Sequence, residues 1–164
     1  MEEEKKVEDK KEVQELDPIK LAKIELGKDY KATITTCLID EKDKNRRINF
    51  QFSVHVPSVK EELQVNVREQ EIIGSNLNNM LVLTAVRMIA VLDIVVDGIT
   101  MIDDEGKAIV IDLSFWQMIQ QMKAVGRAYK EIVIPLYTKF MEFQQSIETD
   151  FDSLKKALAQ LGKK

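Results

Sequence analysis

The chain carries one histidine, His55, and one cysteine, Cys37, so chemistry beyond that of carboxylates, hydroxyls and amines must run through one of them. His55 closes the alternating run "INFQFSVH" on the same parity as Gln51 and Ser53. A general base there needs an orienting carboxylate, which no neighbour in the sequence provides. Cys37, in "TTCLI", lies on the opposite parity from Leu38, with no helix N-terminus or basic cluster beside it to favour a thiolate. A rim histidine and a structural thiol are the plain readings. Asp97, Asp103, Asp104 and Glu105 crowd into "DGITMIDDEG" but lack the alternating ligands and distal bidentate Glu of a calcium loop, so they read as a turn with solvated carboxylates. The six glycines are isolated, and none builds a phosphate-cradling loop. The expectation is therefore no catalytic residue, no cofactor and no metal, and a protein that is not an enzyme.

Composition narrows the class further. A chain of 164 residues makes about one domain with an ordinary core. With 24 Lys and Arg against 28 Asp and Glu the formal charge is -4, which provides no global basic field to collect nucleic acid or anionic lipid. One cysteine excludes an internal disulfide framework and fits a reducing compartment. The start, "MEEEKKVEDKKEVQE", lacks the apolar core of a signal peptide and is too acidic for a transit peptide. The longest apolar run, "MLVLTAVRMIAVLDIVV", is interrupted by Arg87 and Asp93 and falls short of the roughly 20 residues a span requires. It reads as a buried helix, and a cytoplasmic protein is expected.

These side chains need elements to position them. Residues 1–15 hold only Val7 and Val13 to bury and read as a disordered charged tail or a fraying helix; residues 16–164 read as a single α+β domain. "LDPIKLAKIELGK" starts a short amphipathic helix: Asp17 caps, Pro18 suits the first position, Ile19, Ala22 and Leu26 share a face, and Gly27 stops it. "KATITTCLID" and "INFQFSVHV", joined by the polar "EKDKNRR", form an N-terminal β-hairpin. In its second strand Ile48, Phe50, Phe52, Val54 and Val56 point one way, and Asn49, Gln51, Ser53 and His55 the other. Pro57 ends the ladder, and Ser58 with Glu61 forms a capping box for a helix over about 59–72. Val59, Leu63 and Val67, at spacing four, give that helix its apolar row, and Gly74 closes it.

A third helix starts near Leu77, with Leu77, Met80, Leu81, Thr84, Ala85, Met88, Ile89 and Leu92 on one wide face. Val82, Val86 and Val91 fall elsewhere, so the helix should be covered on more than one side, at the centre of the core. Asp97-Gly98 and Glu105-Gly106 read as turns around two short apolar pieces, giving a second small hairpin or a mobile loop. From Ser114 onward the pattern is helical, with Pro135 kinking or splitting a long C-terminal helical extension over about 114–161.

Two features point to partners. The basic tip Asn45, Arg46 and Arg47, with Lys42 and Lys44, reads as a solvated loop or a contact for an acidic partner. Beyond Pro135, Leu136, Phe140, Phe143, Ile147, Phe151, Leu154 and Leu158 recur at steps of three and four. That stripe is narrow enough for a partner helix or a seam between two copies, and these seven are the candidate partner-binding residues.

The order of elements resembles that of the tail assembly chaperones of long-tailed bacteriophages. The match is carried by the "VPSVKE" strand-to-helix junction (Val56, Pro57, Ser58, Glu61), by Arg68 and Glu69 on the following helix, and by Ala90, Leu92, Asp93, Ile94, Val95 and Val96 of "AVLDIVV". The resemblance covers about 48–96. It implies a small α+β protein that binds the tape measure protein in the host cytoplasm, keeps it soluble while the tail tube polymerises, and is absent from finished particles. A structural tail or baseplate component and a small acidic secretion chaperone are the alternatives.

Overall fold

The computed structural model describes residues 30–39, 46–74, 80–122 and 125–161. The charged tail, the Asp17–Gly27 helix, the start of the third helix at Leu77 and the basic residues Lys42 and Lys44 lie outside the described residues.

The two hairpins merge into one antiparallel sheet of four strands in sequence order: β1 (Lys31–Ile39), β2 (Arg47–His55), β3 (Val96–Ile102) and β4 (Ala108–Ile111). The period of two in β2 sets its faces as expected, burying Phe50, Phe52 and Val54. Ile34, Phe52, Ile99 and Ile111 form a row across all four strands. Phe52 stacks on Phe50 at 6.2 Å and meets Phe115 edge-on at 5.8 Å, joining the sheet to the helices. The segment after residue 96 is a hairpin and not a loop. Its turn is closed by the Asp103 carboxylate, whose Oδ1 accepts from the amides of Glu105 and Lys107, and by Gly106 at φ 78°. Asp97-Gly98, expected as a turn, instead lies inside β3. There Ser53 faces Gly98 and Val54 faces Val96, so Asp97 is the extra residue of a β-bulge.

Helix α1 (Val59–Ile73) begins with the expected capping box and ends at Gly74, φ 57°. Helix α2 (Met80–Val95) runs directly into β3 and buries Val86, Ile89, Ala90, Leu92 and Val95. Thr84, expected inward, is exposed, and Val86, expected off the main face, is buried. The helix touches α1, β3 and the C-terminal helices at once, so no single stripe decides its orientation. A second capping box, Ser114 with Gln117, opens α3 (Phe115–Gln121).

The helical stretch expected from Ser114, with Pro135 kinking or splitting it, already breaks at Met122, which is extended (ψ 124°). It resumes as a short α4 (Val125–Ala128), a π-helical turn (Tyr129–Val133) and α5 (Ile134–Leu161). The π turn stands immediately before Pro135, whose ring nitrogen has no hydrogen to donate; the preceding Ile134 amide reaches back five residues to the Tyr129 carbonyl. Two hydrogen bonds tie the π turn and α5 to β1: the Ile39 amide donates to Glu131 Oε2 (3.3 Å), and Lys139 Nζ donates to the Thr35 carbonyl (2.9 Å). The helix therefore runs antiparallel to β1 and covers that sheet edge.

Candidate functional site

His55 is the first place to look for chemistry, and the fold gives it two carboxylates. Its Nε2 lies 3.3 Å from Glu61 Oε1, and its Nδ1 lies 2.9 Å from Asp97 Oδ1 without the alignment of a hydrogen bond. The bulge turns Asp97 toward His55 and Lys31, and the capping box fixes Glu61. Nothing in the sequence marked these partners, because Asp97 is 42 positions away and its role depends on the bulge register. Among the described residues, no nucleophile completes the group. The Ser58 hydroxyl donates to Glu61 Oε2 at 2.7 Å and accepts the Glu61 amide, so it faces away from the imidazole's needs. Two hydrogen bonds from Ser58, first from its amide and then from its hydroxyl, pull the Glu61 carboxyl below its ordinary value. The cluster ties the end of β2 to the start of α1 and to β3. Cys37 is half-buried on the sheet face that carries Asn49, opposite the core.

The other charged residues that stood out in the sequence also hold the frame. Asp93 Oδ2 accepts from Arg68 Nε and Nη2 at 2.7 Å, while Oδ1 accepts the Trp116 amide at 2.7 Å, so one carboxylate joins α1, α2 and α3. Arg68 is held charged chiefly by its hydrogen bond to Glu71, with Asp93 adding to it. Arg87 Nη1 bridges Asn66 and Glu69 at 2.8 Å each. At the sheet's far end, Arg46 Nε donates to Asp104 Oδ2 at 2.5 Å, linking the basic tip to the acidic turn. Among the described residues, no group of His, Cys, Asp and Glu is placed to hold a metal ion, and no helix is long and apolar enough to cross a membrane.

The partner-binding stripe divides along its length. Leu136 and Phe140 are 0% and 1% exposed and belong to the core, so these two are corrected from partner contacts to packing residues. The reason is that the first turns of α5 lie against the sheet and α2, where a heptad-like seam is simply the inward face. Phe143 packs against the rim of that core, and Ile147 is half-buried. The side chains of Phe151, Leu154 and Leu158 lie outside the described residues.

Apolar surface remains elsewhere. Val59, Leu63 and Val67, the row expected to seat α1, are 76%, 65% and 58% exposed, while α1 packs through Val65 and Ile72. At spacing four the three form a ridge on the side opposite Val65. Between α1, α2 and α5 lies an open groove of about 460 Å³ with Ile73, Leu83, Met88 and Tyr137 in its walls and Glu69 and Arg87 beside them. Val110, on strand β4 at the open edge of the sheet, is also exposed.

Comparison with protein-family models, with curated proteins and with solved structures gives no match for this chain.

Proposed function

We propose that this protein is a non-catalytic assembly chaperone whose client is an extended helical protein, the tape measure protein of a long-tailed phage. The observation that carries the reading is the exposed Val59, Leu63 and Val67 ridge on a helix whose opposite side is anchored in the core. An apolar helical ridge on a rigid base offers the i, i+4 spacing that another amphipathic helix packs into. Large side chains left in water in a row are the usual mark of a surface that meets a partner. The net charge of -4 keeps such a surface soluble while it is empty. Support for the phage setting comes from the "VPSVKE" and "LDIVV" resemblance, which also gives the host cytoplasm as the place of action. In the structure these resembling residues build the frame that presents the ridge: Ser58 and Glu61 start α1, and Arg68 fastens it to Asp93.

Co-expression with a neighbouring long coiled-coil protein, followed by affinity purification and size exclusion, tests the proposal. Co-elution with rescue of the client's solubility is expected, and Leu63→Glu should abolish it. An insoluble client with this protein eluting alone overturns the reading, and stoichiometric presence in purified virions shifts it to a structural tail component.

A further inference from the structure

We propose that two copies of the chain pair edge to edge through β4, antiparallel about a two-fold axis at Val110, so that their four-stranded sheets join into one. Among the described residues no strand lies beyond β4, and its Val110 and Ile109 are 79% and 41% exposed. The residues of β4 include no charge, no proline and no bulge, the devices that ordinarily keep a sheet edge from pairing. Only its shortness restrains it.

The direction of the free backbone groups sets the register. Just before β4 the Asp103 amide donates to the Lys107 carbonyl at 3.1 Å, and this pair continues the register that sets Ile102 against Ala108. Bonded and non-bonded pairs alternate along an antiparallel ladder, so Ile109 and Ile111 turn their amides and carbonyls toward β3. Ala108, Val110 and the next alternate position, Asp112, turn theirs to the open side. These three are spaced evenly about Val110. A two-fold axis perpendicular to the sheet keeps both core sides together, and it pairs residues an even number of positions apart. Centred on Val110, it sets Val110 against Val110 and Ala108 against Asp112 in both directions, giving about six backbone hydrogen bonds with no outward group in the strand left over.

The side chains fit that register on both sides of the sheet. On the core side, Ile34, Phe52, Ile99 and Ile111 form one row, and Phe50, Met101 and Ile109 form the next. The pairing sets Ile111 of each copy against Ile109 of the other, so each apolar row runs on into a row of the second copy. On the outer side, Thr35, Gln51, Thr100 and Val110 form a row that is polar until its last member. There the axis brings Val110 against its own copy, with Cα atoms about 5.5 Å apart, and covers it. The flanking charges Lys107 and Asp112 meet Leu113 and Ala108 of the second copy, so no like charges stand opposite each other. An unrelated strand gains the backbone bonds without this matching, which singles out a second copy as the occupant.

The pair is reversible, and at low concentration β4 is the open edge. Sedimentation equilibrium of the full chain, without any client, should show the mass rising with concentration from 18.9 kDa to twice that and stopping there, as a closed symmetric pair does. Val110→Lys sets two ammonium groups face to face at the axis and should raise the dimer Kd tenfold or more. Val110→Pro removes the central amide donor without touching the β3 ladder and should do the same. Both variants should unfold in urea near the unaltered chain, since Val110 is exposed. Residue-resolved hydrogen exchange gives a readout that needs no variant: raising the concentration should slow the amides of Ala108, Val110 and Asp112 about tenfold, while those of Ile109 and Ile111, already bonded to β3, change less. A mass of one chain up to about 1 mM overturns the proposal. So does a dimer whose Kd is unmoved by Val110→Lys and Val110→Pro, or growth beyond two copies. A dimer lost in Leu63→Glu but kept in Val110→Lys overturns it in favour of the α1 ridge. The pairing does not rest on the client reading, and with no client present its failure leaves that reading standing.

Discussion

Glu61 serves two elements at once: Oε2 closes the capping box with the Ser58 amide at 2.8 Å, and Oε1 approaches His55. Its lowered carboxyl pKa ties folding to acid. A carboxyl held below its unfolded value contributes stability that is present above about pH 4.5 and is lost as the pH falls through the lowered folded value. Ser58→Ala removes the hydroxyl's share of that effect and one helix-capping bond. We expect a loss of about 1 kcal/mol at neutral pH and an acid-unfolding midpoint moved upward, checked by urea titrations across pH. Asp93 is the more consequential carboxylate, since its side chain is 7% exposed and it satisfies both a guanidinium and a helix amide. Asp93→Ala should destabilise by about 2 to 3 kcal/mol in chemical denaturation, since it leaves the Trp116 amide without its acceptor, although the partly exposed Arg68 can turn to Glu71 and solvent. Neither role was written in the residue types. A turn-like "DG" and a helix-borne aspartate look the same in sequence whether or not a partner 23 or more positions away meets them.

The two helices bearing apolar rows differ in what covers them. Phe140→Ala should cost about 3 to 5 kcal/mol, since it opens a cavity in a packed interior. Leu63→Glu should stay within about 0.5 kcal/mol of the unaltered chain, as surface changes do. Thermal and denaturant unfolding of both variants checks the contrast, and the pairing of unchanged folding with lost client capture is what marks Leu63 as a contact. Strand β2 and both ends of α1 were legible because their signals are local: strict alternation over Ile48 to Val56, a Ser58 and Glu61 box, a terminal Gly74. The buried side of α1 was not. Its three-residue apolar row competes with Val65 and Ile72 plus Arg68, and contacts with α2, Arg68 to Asp93 and Arg87 to Asn66 and Glu69, hold the second side inward. The break at Met122 was also hidden, because residues 114–134 keep helical composition through it.

At the scale of the whole molecule, β2 lies between β1 and β3 and carries Phe52 and Val54, both fully buried. Its amides should be the slowest to exchange, and those of β4, at the open edge with Val110 in water, among the fastest within the sheet. Native-state exchange resolved by residue measures this ordering. One edge is shielded by α5 and the other has no neighbouring strand among the described residues, so a second molecule adding a strand would meet β4 and not β1. The amino-acid sequence by itself determined the α+β class, the faces of β2, the start and stop of α1 and the central place of α2, because periodicity and capping act over a few residues. Tertiary structure decided that the two hairpins share one sheet, that Asp97 bulges toward His55, that Leu136 and Phe140 are interior and that Val59, Leu63 and Val67 are not. An apolar row states only that one side of a helix avoids water; whether the neighbour is the core, another segment or a partner depends on contacts between residues far apart in the chain.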